Sequence, residues 1–307
     1  MNNRVYIDGI DIQQRFGVVV PSGGFDELFL FPPLKEPKKN NWPEHDGIEV
    51  DLENPVLNAK EIAVTFVFAD HSLDVADFIF FLSEPGYRAF NVFGRTWQLR
   101  LTEGKNNTIW ENVSKFTLVF TDDKPIQENP STYTPGVRVE DSGYWLENIP
   151  LNTYGLVIME GMDDLLKTPA TKKNLLRNLI KEAGQEYDTE QYVFNSKEVT
   201  FKCCLIASDM TNFWNCYDAF FRDLTSPEEK FFYLGQTGED YPCYYKETSS
   251  FKVVSLSPVV SVTFSLTLVF TAFRLGKTEY LLAAETGEYL VLEDDSDGEI
   301  LIDLEDL

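Results

Sequence analysis

Histidine is scarce in this chain of 307 residues, which has two, His45 and His71. Cations are also outnumbered: 26 Lys and Arg face 50 Asp and Glu, for a net charge of −24. Binding nucleic acid by phosphate neutralisation needs clustered Lys and Arg, so repulsion from DNA is the expectation here. The four cysteines, Cys203, Cys204, Cys216 and Cys243, contain no CxxC pair and join no Cys/His cluster. Adjacent Cys203 and Cys204 would point to opposite faces of a strand. That suits small side chains in a reducing compartment better than a disulfide or a metal site. The sequons at Asn106 and Asn112 then carry no meaning. No apolar run is long enough to span a bilayer, and Met1-Asn2-Asn3-Arg4 leads straight into alternating Val5-Tyr6-Ile7-Asp8. Neither a signal peptide nor membrane insertion is expected.

Catalytic motifs are missing as well. No GxSxG, HExxH or GxGxxG pattern occurs, His45 sits in the turn-rich stretch Trp42–Gly47, and His71 stands beside Asp70 at a helix entry with no nucleophile motif nearby. Gly276-Lys277-Thr278 resembles the end of a phosphate loop, but position 271, which that loop needs as glycine, is Thr271. In Glu293–Glu299 an EF-hand register would require a bidentate Glu where Leu304 stands. No catalytic, cofactor-binding or metal-ligating residue is therefore assigned, and the chain is not expected to be an enzyme.

What the sequence does contain is repetition. Thr117–Thr121 reads the same as Thr267–Thr271, and Asn58-Ala59-Lys60-Glu61-Ile62 reappears as Asn195-Ser196-Lys197-Glu198-Val199. The openings also match: Tyr6–Ile12 then Phe16–Val20 parallels Trp145–Leu151 then Tyr154–Ile158, with one residue fewer in the second copy. A period of roughly 140 residues is far above that of solenoids, so each copy should bury its own core as a domain. The expected boundaries are 1–122 and 143–273, joined by a linker over 123–142 with Pro125, Pro130 and Pro135, and followed by an acidic tail over 274–307.

Each copy reads as strands, one helix, then strands. Alternation marks strands over 61–68, 198–206, 116–121 and 261–270, each with one face in a core. Asp70 or Ser72 can cap a first helix near 73–83, and Asp209 or Thr211 a second near 212–224 with an apolar, aromatic stripe. The copies look most different just after their openings. The first has the apolar run Phe25–Phe31 and then Lys35–Lys39; in the second, Thr168, Pro169 and Gly184 bracket an expected helix over 169–183. Residues 165–181 hold five basic side chains and no acidic one, in an acidic chain. Both segments are expected to project as assembly elements through Phe29, Phe31, Lys172, Lys173, Arg177 and Lys181. Charge reversal at Lys172, Lys173 and Arg177 should then weaken self-association without moving the melting temperature. Over 279–304, short apolar runs separated by Thr286-Gly287 and Asp297-Gly298 predict a small three-stranded meander.

The opening Tyr6-Ile7-Asp8-Gly9-Ile10, the strand Gly17–Val20, the acidic turn His45-Asp46-Gly47 leading to Val50-Asp51-Leu52, and the strand, helix and strands that follow resemble the tail-tube and distal-tail family of long-tailed bacteriophages. The second copy repeats the scheme over 144–272. The resemblance implies a mainly β (α+β) fold of two tandem β-sandwich-plus-helix domains. It also implies a ring around a DNA channel, as a trimer with pseudo-sixfold symmetry or a hexamer, contacting other tail or baseplate proteins in the virion tail after synthesis in the host cytoplasm. DNA would pass without specific binding, along a wall of carboxylates. The rival expectation is a carbohydrate-binding β-sandwich using Trp42, Trp97 and Trp110, although these have no partners at matched second-copy positions.

Overall fold

The computed structural model describes residues 4–68, 75–109, 114–125, 128–172, 176–177, 180–181, 183–184, 186–187, 193–272, 292–293 and 299–300. The fold is mainly β. In the first half the elements are β1 (Tyr6–Ile7), β2 (Ile10–Asp11), α1 (Ile12–Phe16), β3 (Val18–Val19), a 3₁₀ turn (Asp26–Phe29), β4 (Lys39–Asn40), β5 (Glu49–Val50), β6 (Lys60–Phe68), α2 (Val75–Ser83), β7 (Arg88–Val92), β8 (Arg95–Ile109) and β9 (Ser114–Asp122). The second half has β10 (Tyr144–Leu146), β11 (Ile149–Pro150), a 3₁₀ turn (Leu151–Tyr154), β12 (Leu156–Glu160), α3 (Met162–Leu166), β13 (Leu176–Arg177), β14 (Glu186–Tyr187), β15 (Lys197–Ala207), α4 (Met210–Leu224), β16 (Lys230–Leu234), β17 (Glu239–Ser255) and β18 (Val260–Phe270).

Each half builds one seven-stranded sheet. The orders are β2-β1-β7-β8-β9-β6-β3 and β11-β10-β16-β17-β18-β15-β12, the same connectivity twice. The long strand β8 pairs through its beginning with β7 and through its end with β9, so the sheet curls over itself, and β17 does the same between β16 and β18. Alternation decides the faces. Ile62, Val64, Phe66 and Phe68 of β6 point inward, as do Val199, Phe201, Cys203 and Leu205 of β15. One helix closes each core: Phe78 of α2 lies 5.3 Å from Phe16, and Phe220 of α4 lies 5.5 Å from Tyr154. Asp209 caps α4 through its bond to the Asn212 amide.

The missing residue in the second opening has a structural cause. Asp11 caps a short α-helix that ends on Gly17 at φ 66°, whereas Leu151–Tyr154 is a 3₁₀ turn that ends on Gly155 at φ 72°. A 3₁₀ turn needs three residues where an α-turn needs 3.6. The verbatim block Thr117–Thr121 also shifts against its counterpart. Ile62 faces Phe120 in one ladder and Val199 faces Leu268 in the other, so the two blocks sit in matching strands two residues out of register. A slip of two leaves every side chain on its own face, which is why it costs no burial.

Two expectations are corrected. Among the described residues of 169–183 there is no helix. Instead Leu176 pairs with Tyr187 and Arg177 with Glu186 in the β13–β14 hairpin, because the flanking backbone is already committed: Lys172 N donates to Val193 O and Asn195 N to Ala170 O. Tertiary bonding overrides the helical spacing of the leucines. The first-half segment does not project either, since Phe25, Leu28, Phe29 and Phe31 are all buried. At the C-terminus, the described residues form a two-stranded ladder, β19 (Leu292–Glu293) with β20 (Glu299–Ile300); the apolar run at 281–282 lies outside the described residues.

Candidate functional site

The two segments that read so differently are the same backbone twice. Leu34 bridges Leu57 and Thr171 bridges Phe194; Lys35 N donates to Val56 O and Lys172 N to Val193 O; Asn58 N donates to Pro33 O and Asn195 N to Ala170 O. Each of these positions lies 137 residues before its counterpart, as Leu34 does before Thr171, and β4–β5 and β13–β14 obey the same spacing. Both halves therefore carry an equivalent arm.

The first arm is seated on the second half. Leu34 N donates to Lys246 O at 2.9 Å, Ile48 N to Thr271 O at 2.8 Å, and Gly47 N to Phe194 O at 2.8 Å. Lys172 anchors its tip: Nζ donates to Trp42 O, His45 O and Gly47 O at 2.8, 2.6 and 2.5 Å. Gly47 cannot be exchanged, because a Cβ there would fall 1.6 Å from Thr271 O, at a φ of +68°. At the arm's root Phe31 stacks on Phe221, with centroids 4.1 Å apart and planes 6° from parallel. Tyr217 donates to Phe29 O, and Tyr245 and Thr248 to Phe31 O.

Beside this root lies a cleft of about 100 Å³ between the halves. Arg95 from the first half bonds Asp218 of α4 at 2.5 Å, and its guanidinium lies 4.2 Å over the Trp214 ring. Burial raises the Asp218 carboxyl pKa against the lowering pull of Arg95. Asp122, also in the cleft, is raised by burial with Lys60 opposing. Lys60 donates to Leu28 O and Leu30 O, and its counterpart Lys197 to Asp164 O, Leu165 O and Lys167 O. The repeated Asn-x-Lys-Glu block thus places a lysine where it satisfies carbonyls left open by a short helical turn. These groups are spent on joining elements. Among the described residues no cluster of His, Cys, Asp or Glu suited to a metal ion is present.

Burial lowers the Lys60 pKa to about 7 and the Lys197 pKa to about 8. A lysine whose folded pKa is depressed leaves the unfolded chain holding more protons between that value and the ordinary 10.5. Stability from these groups therefore rises with pH across about 7 to 10.5, the window in which folding strips their protons. Urea midpoints measured at pH 7 and pH 10 should rise more in the wild type than in Lys60→Met; equal rises would refute the depressed value.

The expected assembly residues are distributed as follows. Phe29 and Phe31 are buried in the seam within one chain, which corrects their assignment to contacts between chains; at 3% and 6% exposed they offer little surface to another subunit. Lys172 is buried too, and so does not lie on a solvated face. Lys181 is exposed in a turn, Arg177 lies in β13, and Lys173 lies outside the described residues. His45 contributes a carbonyl only; His71 and Trp110 lie outside the described residues. Trp42 is exposed at the arm tip, whereas Trp97 packs edge-on against Phe29 and Trp214, so these two make no common platform. All four cysteines are free. Among the described residues no helix is long and apolar enough to cross a membrane. No local pattern assigns a function to Lys60, Lys197 or the pair Arg95–Asp218; the repeated block that contains the two lysines is the signal that marks them.

No protein-family model matches the chain, and no curated protein matches it. Among solved structures it is similar to the Dit (gp 19.1) protein of SPP1, described as a paradigm of the hub adsorption apparatus in phages infecting Gram-positive bacteria. The identity is 10%, the match covers 87% of this chain and 98% of that one, and the TM-score is 0.31. A score of that size does not equate the two folds.

Proposed function

We propose that this chain is a structural, non-enzymatic component of a phage tail or baseplate that forms a ring around the DNA channel and joins tail tube to tip. Residues 1–122 and 143–273 are, in this reading, two copies of one ring domain. The observation that supports it is the recurrence of one seven-stranded order, one closing helix and one bond pattern in both halves. It stands beside the sequence resemblance to the tail-tube and distal-tail family. Two tandem units meet sixfold geometry with three chains, and closure leaves no free sheet edge to template aggregation. The net charge of −24 suits a wall along which DNA slides without sticking.

Native mass spectrometry and electron microscopy at raised concentration test this. Closed rings of three chains, or of six, with carboxylates prevailing on the inner wall are expected. Dimers only, open helical polymers, or a lumen rich in Lys and Arg would overturn it.

A further inference from the structure

One arm is seated, and the described residues of its equivalent show no matching seat. Gly184 corresponds to Gly47 and keeps the left-handed backbone, φ 92°, yet a Cβ added there meets nothing within 4 Å. Gly47 needs that absence of a side chain because it presses on Thr271 O; Gly184 retains the glycine without the neighbour. The receiving surface shows the same imbalance. Lys172, which grips the first arm's tip, is buried, while its counterpart Lys35 is exposed. Val193 is 6% exposed and its counterpart Val56 is 53% exposed. The two closing helices align through Leu82-x-x-Pro85 and Leu224-x-x-Pro227, which puts Ile79 at the place of Phe221. Phe221 is covered by Phe31, whereas Ile79 is 37% exposed and its neighbour Phe80 is 73% exposed. The first half therefore carries the socket that holds an arm in the second half, and there it is open.

We infer that the second arm, from Thr171 through the β13–β14 hairpin, seats on the first half of a second copy of this chain, across Lys35, Val56, Ile79 and Thr102, with the bonds that seat the first arm within a chain. Thr102 is the counterpart of Lys246, because each follows the leading residue of the same bulge, Leu101/Glu103 in β8 and Tyr245/Glu247 in β17. Charge favours the contact, since the arm's exposed Lys181 comes to a half whose α2 exposes Asp77. The contact joins different surfaces head to tail, so it repeats until it closes or runs on as a helix. The inference rests on the ring reading and adds the partner surface to it.

A cysteine pair tests it. Within a chain the Leu34 N to Lys246 O bond of 2.9 Å brings those backbones together. At such an approach α-carbons fall near the roughly 4.4–6.8 Å that a disulfide spans. The double variant Thr102→Cys/Thr171→Cys should, on oxidation of the concentrated full chain, give a reducible ladder of linked chains ending at a closed set of three. Leu34→Cys/Lys246→Cys should lock within one chain as the control. Rings seen by electron microscopy without cross-links between chains, while the control locks, would overturn this interface and leave the ring reading standing. A cross-linked ladder running on without end would support the interface and sink the closed ring. A chain that neither assembles nor cross-links would overturn both.

Discussion

Replacing Lys172 by methionine should lower the unfolding free energy by about 3 kcal/mol, among the largest single-residue effects expected of this chain. The side chain keeps its apolar stem but loses the three donors that now serve Trp42 O, His45 O and Gly47 O. Carbonyls left in a buried seam without a donor each cost about 1–3 kcal/mol, partly relieved by water at the arm's edge. Amide exchange should quicken over the arm before it does in the β6–β9 core, since the arm's tip is what the substitution releases. Lys35→Met, at the matching position, should stay within about 0.5 kcal/mol because that side chain is exposed. Equal effects of the two variants in urea titrations would refute the anchoring role. The same geometry changes the outcome expected from charge reversal at Lys172, Lys173 and Arg177: the melting temperature falls along with any self-association, since one of the three residues holds the halves together.

Phe31→Ala should cost about 3–5 kcal/mol, the range for emptying a buried aromatic site. Phe31 is stacked on Phe221 and lies 5.6 Å from the ring of Tyr245, so no single neighbour can move in to fill the space. The loss falls on the seam between halves. A denaturation curve that splits into two transitions is therefore expected, against a single transition expected of the wild type. Thr168→Ala, at the corresponding place in the second arm, should change stability by no more than about 0.5 kcal/mol, because Thr168 is exposed. A loss under 1 kcal/mol for Phe31→Ala would mean the stacking contributes little beyond the surface it covers.

Much of this architecture was legible in the residues. The alternation in Lys60–Phe68 and Lys197–Ala207 marks strands because a period of two survives any loop around it. The helix expected near 212–224 announced itself by a cap at Asp209 or Thr211 and by aromatics at helical spacing; it runs over Met210–Leu224 with Asp209 as the cap. The arms were opaque for a different reason. Their likeness lies in bonds between backbone groups, which leave no trace in side-chain identity, so Phe31 opposite Thr168 and Leu34 opposite Thr171 hide one structure behind two unlike sequences. The leucines around 175–179 fit a 3.6 period, yet a short-range pattern cannot register that Ala170 and Val193 are already held by distant partners. The Arg95–Asp218 pair spans 123 residues and has no local signature at all.

The linker between the halves is itself docked: Tyr133 stacks on Tyr154 with centroids 5.1 Å apart, Arg222 donates to Pro130 O, and Ser208 N donates to Pro135 O. A tether that is pinned along its course holds the first arm beside its socket at an effective concentration on the order of millimolar or above, whatever the dilution of the protein. That contact never has to be found by diffusion. A closed set of three such chains would have three joints between molecules, where six separate units would have six. Half its joints would then be permanent, and only the other half would respond to concentration.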